Sequence, residues 1–236
     1  MYKELYSIFY LNRFKGYEIN KEEFEYIDEI KFFTPTKDLK KHEYYIVMNL
    51  KKPKEEELDS LLSEDFNKIY TEVVNSIYFN NYVSKNTTAI IFIELEDLNS
   101  ASNNSSLNKK ILNIEESKYN FKKNIITYTE KQAKEFQELL KIEHDITASI
   151  NKVIYDKDKF VEFKKDPNID SIYNFISKLQ IKIPFLALKS EEKEIESLKE
   201  NIDKKLKDLN YDKLINMIIN IDDFDEVDME KFIEEI

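Results

Sequence analysis

Thr87-Thr88-Ala89-Ile90-Ile91-Phe92-Ile93-Glu94-Leu95 is the stretch on which the reading of the fold turns. It is β-branched and aromatic, and Ala89–Ile93 is apolar without interruption. Such a run predicts a central strand buried on both faces. Upstream, His42–Leu50 (HEYYIVMNL) reads as a second strand, ended by Pro53. Between the two, Glu55–Ser63 starts a helix on acidic residues, which suits its positive end. Its apolar stripe is Leu58, Leu61 and Leu62, and it continues or restarts through Phe66, Ile69, Val73 and Ile77 up to Asn80-Asn81. Downstream, Asn99–Ser106 (NSASNNSS) is a polar surface loop. Leu107–Glu116 is a short helix on Leu107, Ile111 and Ile114, and Asn124–Thr129 (NIITYT) is a short strand.

At the N-terminus, Leu5–Phe14 (LYSIFYLNRF) is aromatic and reads as a strand, with Gly16 marking a turn. Lys21–Ile30 places Phe24, Ile27 and Ile30 at spacing three behind Asn20, which predicts a short capped helix. Pro35 breaks the chain. After Thr129 the periodicity becomes helical. Lys131–Asn151 carries Phe136, Leu139, Leu140, Ile142 and Ile146. Asp166-Pro167 reads as a helix start, followed by Ile169, Ile172, Tyr173, Ile176 and Leu179. Residues 181–188 (IKIPFLAL) form an extended connector over a core. Ser190 caps a helix to Leu209 with Ile195, Leu198, Ile202 and Leu206, and Asp212–Asn220 and Met229–Glu235 are final short helices. The expectation is an α+β fold: residues 1–128 as a domain with a mixed sheet and flanking helices, and residues 129–236 as an all-helical region.

Composition narrows the chemistry. The 236 residues hold one glycine, four prolines, no cysteine, no tryptophan and two histidines. Phosphate-cradling loops, dinucleotide fingerprints and the nucleophile elbow each need two or more glycines close together, and only Gly16 is present. Cysteine-based metal sites, nucleophiles and disulfides are excluded. His42 and His144 are too far apart in sequence to form a local metal-binding pair. Asp plus Glu total 47 against 36 Lys plus Arg, a formal net charge of −11. Arg13 is the one arginine, so bidentate guanidinium clamps on phosphate are nearly absent. A net acidic surface repels nucleic acid at long range, which argues against a stand-alone DNA binder. The fifteen tyrosines and sixteen phenylalanines supply the apolar area that disordered chains lack. The N-terminal MYKELYSIFYL places Glu4 where a signal peptide needs an apolar core, and Ala89–Ile93 is far too short to span a bilayer. A soluble cytoplasmic protein with no membrane partner is expected.

Four constellations invite a functional reading. Glu29-Ile30-Lys31 fits the letters of a metal-nuclease motif, but a chain with 47 acids and 36 basic residues makes such triplets by chance. The tail from Asp222 to Glu235 resembles a calcium loop at Asp222, Asp223, Asp225 and Asp228, yet lacks the glycine of its sharp turn. It reads as a solvated final helix, with docking to a basic partner through Phe224, Val227, Phe232 and Ile233 as the alternative. His144, between Glu143 and Asp145, reads as a surface histidine, because sequence neighbours on a helix do not face each other. Lys122-Lys123, just after Glu115-Glu116, reads as an exposed charged connection or as an electrostatic contact with a partner or a DNA backbone.

The stretch Ile114-Glu115-Glu116-Ser117-Lys118-Tyr119-Asn120-Phe121-Lys122-Lys123, with the strand at Ile125–Tyr128, resembles the signature region of the middle components of ABC-three-component bacterial systems, among them the Lamassu anti-phage systems. That pattern is a hydrophobic residue, two acids, a further acid, an aromatic and a basic pair leading into a strand. The strand at Thr87–Leu95 and Ile183-Pro184-Phe185-Leu186 are similar too. Ser117 stands where the pattern has its further acid, Lys122 where arginine is common, and 99–106 resembles an insertion. The resemblance implies a non-catalytic adaptor that binds an SMC-like ABC-type ATPase and an effector nuclease subunit, and meets DNA only through the complex. It implies no catalytic residue, cofactor or metal. Glu115, Glu116, Lys122 and Lys123 are the positions matching the motif and the candidate partner-binding residues. A metal-dependent nucleic-acid-processing effector, or an acidic stand-alone binding or immunity protein, are the competing readings.

Overall fold

The computed structural model describes residues 2–22, 24–37, 41–76, 80–98, 105–143 and 145–186. Expectations for the helices after Ser190, for the acidic tail from Asp222, for His144 and for 99–104 lie outside the described residues. Residues 1–188 form one compact unit. The fold is α+β: a five-stranded mixed sheet between two helical layers. The strands are β1 (Phe14–Glu18), β2 (Ile27–Pro35), β3 (Tyr44–Lys51), β4 (Thr87–Leu95) and β5 (Lys122–Thr129), in the spatial order β1-β2-β3-β4-β5. The pairs β1–β2 and β2–β3 are antiparallel, whereas β3–β4 and β4–β5 are parallel. As expected, β4 is buried along nearly its whole length and has a partner on both sides.

Parallel strands need crossovers, and the helices between them supply these. α2 (Glu55–Ser60), a wider π-type turn at Leu61–Asp65, α3 (Phe66–Asn75) and α4 (Val83–Asn86) join β3 to β4; α5 (Ser106–Glu116) joins β4 to β5. Both crossovers step in the same direction along the sheet, and with the usual right hand they fall on one face. There Leu58, Leu61, Phe66, Ile69, Val73, Ile111 and Ile114 pack on Ile46, Met48, Ala89, Ile91 and Ile93. In the π-type turn, buried Asp65 accepts hydrogen bonds from Tyr26 Oη and from Ser60 Oγ (2.9 Å). Burial and the adjoining carboxylate push the Tyr26 phenol above its ordinary range.

The opposite face is covered by α1 (Tyr2–Leu11), α6 (Glu130–Glu143), α7 (Ile146–Ile154), α8 (Lys157–Lys165) and α9 (Ile172–Lys182). This core is rich in aromatics: Phe9 stacks on Phe33 with centroids 4.6 Å apart, and Phe136 meets Phe175 edge-on at 5.5 Å. The change from strands to helices after Thr129 is therefore a change of element within one unit, since α6, α7 and α9 pack on Ile90, Phe92, Ile126 and Tyr128.

The first 35 residues differ from the sequence reading in three places. Leu5–Phe14 was expected as a strand, but the chain is helical from Tyr2 to Leu11. Leu5, Ile8 and Phe9 lie on its buried side, at spacings of three and four that bring residues onto one helical face. Gly16 does not turn the chain: it lies within β1, and the turn is made at Arg13, whose φ is 63°. A Cβ on Gly16 would come within 2.8 Å of Tyr10 Oη and 3.0 Å of Phe33 Cε1. Lys21–Ile30 is not a helix, and Ile27 begins β2. A β-bulge between Ile27 and Glu29 adds one residue to the strand. Ile27 and Ile30, three apart, therefore share the face that pairs with Leu50 and Met48, and the bulge imitates helical spacing.

Two further corrections fall after Thr129. The helix expected over Lys131–Asn151 is two helices, because Asp145 caps α7 by accepting from the backbone of Thr147 (2.8 Å) and Ala148 (3.3 Å). Asp166-Pro167 does not begin a helix: Asp166 ends α8, and α9 starts at Ile172 under a Ser171 cap. α9 also runs to Lys182, into what was expected as an extended connector. Its stripe is as expected, with Tyr173, Ile176 and Leu179 buried.

Candidate partner-binding site

The segment from α5 to β5 divides into an inward and an outward half. Lys123, expected as part of an exposed charged connection, is buried at 2 % exposure. Its ammonium donates to the carbonyls of Ser117 (3.2 Å), Tyr119 (2.6 Å) and Phe121 (3.0 Å) and lies 4.9 Å from the centre of the Phe66 ring. Three carbonyls, from the C-cap of α5 and the loop that follows it, gather around one cation. Burial pushes this ammonium below its ordinary range. Glu115 also turns inward: it accepts from the backbone N–H of Ile125 (3.2 Å) and pairs with Lys182 of α9. Glu116 and Lys122 are exposed, as is Lys118 between them.

Phe121 is buried beneath this segment, packed against Tyr70 with ring centroids 5.5 Å apart. Asn120 adopts φ 63°, its side-chain amide donates to Asn67 Oδ1 (3.0 Å), and the Phe121 N–H closes a tight turn onto the Tyr119 carbonyl (2.9 Å). Of the two aromatics in this stretch, Phe121 is buried and Tyr119 stands exposed on a braced loop.

A second feature lies in the other helical layer. α6, α7, α8 and the segment 169–172 enclose an open cleft of about 600 Å³. Leu139, Ile142, Val153, Ile169 and Ile172 form its apolar lining, and Ile142 is 70 % exposed. Its rim carries both signs, with Lys131 near Glu135 (3.9 Å) and Lys159 paired with Asp156, while Glu138 and Glu162 add negative charge. In the sequence, Ile142 is indistinguishable from the core positions of its stripe.

The C-terminal ends of parallel strands are the usual ligand-binding end of such sheets. Here their polar groups bond to one another. Tyr128 Oη donates to Asn49 Oδ1 (2.8 Å), Thr129 Oγ1 donates to Asp170 Oδ1 (2.7 Å), and Gln132 Nε2 donates to the Ser171 carbonyl (2.9 Å). Glu29-Ile30-Lys31, expected in a helix, lies on β2: Lys31 pairs with Glu18 (2.6 Å), and Glu29 is 3.8 Å from Lys21. Among the described residues no three His, Asp or Glu side chains are grouped as a metal ion would require. Among them, too, no helix is long and apolar enough to cross a membrane.

No family model, no curated protein and no solved structure matches this chain.

Proposed function

We propose that the protein is a non-catalytic, cytoplasmic adaptor of a bacterial anti-phage complex, joining an SMC-like ATPase to an effector subunit and meeting DNA only through them. The cleft between α6, α7 and α8 carries this reading. An open groove with an apolar lining and a rim of both charges has the make-up of a protein-binding surface. Ile142 at 70 % exposure is an apolar area that a partner would remove from water. The similarity of 114–123 to the middle-component signature supplies the kind of partner.

The test is co-expression of the tagged chain with the proteins encoded beside it. Capture of a coiled-coil ATPase and an effector supports the reading, and Ile142→Asp should weaken capture of one of them at least tenfold at unchanged thermal stability. A purified chain that binds neither neighbour, or that degrades nucleic acid in a manner abolished by one carboxylate substitution, overturns it.

A further inference from the structure

We infer that Tyr119 is the anchor of a second, preformed protein-docking surface, and that its receptor is an apolar pocket rimmed by carboxylates on a partner protein. This rests on the adaptor reading and deepens it by assigning a contact. Tyr119 is 82 % exposed, the most exposed large hydrophobic side chain among the described residues. A ring so exposed adds nothing to the core, yet its backbone is held by side chains. Lys123 grips the carbonyls before, at and after it in alternation, at Ser117, Tyr119 and Phe121. Phe121 is buried below it, and Asn120 is tied to Asn67 across the layer. An isolated surface aromatic on a braced loop loses little freedom on binding, and tyrosine is among the side chains that most often dominate an interface.

Charge selects the receptor. Lys118 directly precedes Tyr119 and Lys122 follows three residues after it at the start of β5, and both are exposed. They form a small positive patch on a chain of net charge −11. A phosphate backbone carries its charge in a long line that would run past these two lysines onto the acidic remainder of the chain, whereas an acidic pocket no larger than the loop meets the lysines with only Glu116 opposing it. The loop and the cleft also belong to opposite layers of the sheet, since Phe121 and α5 pack in one core and α6, α7 and α9 in the other. Two surfaces facing different ways are what a bridging subunit requires.

The experiment is quantitative capture of the two neighbouring proteins, co-expressed with the native chain, Tyr119→Ala or Lys118→Glu/Lys122→Glu. Tyr119→Ala should weaken one partner at least tenfold and leave its melting temperature and the other partner unchanged. The double charge reversal should weaken the same partner and flatten its salt dependence. If both neighbours bind Tyr119→Ala as they bind the native chain, the docking inference is overturned while the adaptor reading stands. If the native chain binds neither, both fall. A single-stranded oligonucleotide that binds the native chain but not Tyr119→Ala, with protein capture unaffected, would reassign the loop to nucleic acid and overturn the inference as well.

Discussion

The two edges of the sheet are protected in opposite ways. β1 is short and charged: five residues, with Lys15 and Glu18 exposed. An edge so brief and so charged offers little to a foreign strand. β5 is eight residues long and mostly buried, with the sequence KKNIITYT. In a parallel pair alternate residues turn their backbone groups away from the neighbour. On β5 these outward groups are met by side chains from three helices. Glu115 of α5 accepts from the Ile125 N–H (3.2 Å), Lys178 of α9 donates to the Thr127 carbonyl (3.1 Å), and Gln132 of α6 accepts from the Thr129 N–H (3.1 Å). The Lys123 clamp sits at the start of the same strand. One edge is protected by its composition, the other by tertiary hydrogen bonds, and only the second depends on individual residues.

The guarded edge is most vulnerable at Lys123. Lys123→Met keeps the apolar stem but leaves the carbonyls of Ser117, Tyr119 and Phe121 without their common donor. Unmet buried acceptors cost about 1–3 kcal/mol each at most, and here relaxation toward water recovers part, so a loss of about 3 kcal/mol is expected by urea unfolding. Lys122→Met, one residue away and exposed, should stay within about 0.5 kcal/mol. Equal effects at the two positions would mean that the clamp does not brace the loop.

This pair also marks how far the sequence could be read. Lys122 and Lys123 are identical letters, and nothing in their spacing says that one is buried; β5 is covered on both faces, and only the packing of Lys123 under the loop carbonyls separates the two. The parallel half of the sheet was legible because β3, β4 and β5 are apolar runs bounded by polar turns. The N-terminal part was not. A bulge gave β2 the spacing of a helix, and the aromatic face of α1 matched strand composition as well as helical periodicity. The motif 114–123 was singled out as a unit, but its division into Glu115 and Lys123 inside and Glu116 and Lys122 outside is a property of packing. Lys178, on the guarded edge, carried no signal among so many lysines.

Lys178 allows the guard to be sharpened by pH. Burial pushes its ammonium down from 10.5 to about 8, against a smaller upward pull from Asp170. Between those values the unfolded chain keeps a proton that the folded chain has released. Stability therefore rises with pH from about 8 and is penalised below it. Lys123, lowered by burial, adds the same sign, whereas Tyr26 and Tyr45, raised by burial, reverse it above about pH 10. Unfolding at pH 7.5 and pH 9.5 (approximate endpoints chosen to avoid the tyrosines) should show a gain in the native chain that is markedly smaller in Lys178→Met. An undiminished gain would place the titrating group elsewhere.

A smaller effect than at Lys123 is expected at Glu115, where two substitutions separate the guard from the ion pair. Glu115→Gln retains a carbonyl oxygen for the Ile125 N–H and loses only the charge facing Lys182, a half-exposed pair worth up to about 1 kcal/mol. Glu115→Ala removes both, leaves the Ile125 N–H without its acceptor, and should cost about 1 kcal/mol more. The consequence specific to an edge is association. With Ile125 uncovered, β5 gains an open donor on a long apolar strand, so Glu115→Ala should self-associate with rising concentration in sedimentation velocity while Glu115→Gln stays at the native state of assembly. If both variants behave alike, Glu115 acts through its charge on Lys182, and β5 is kept from other strands by the bulk of α5 and α9 rather than by its hydrogen bonds.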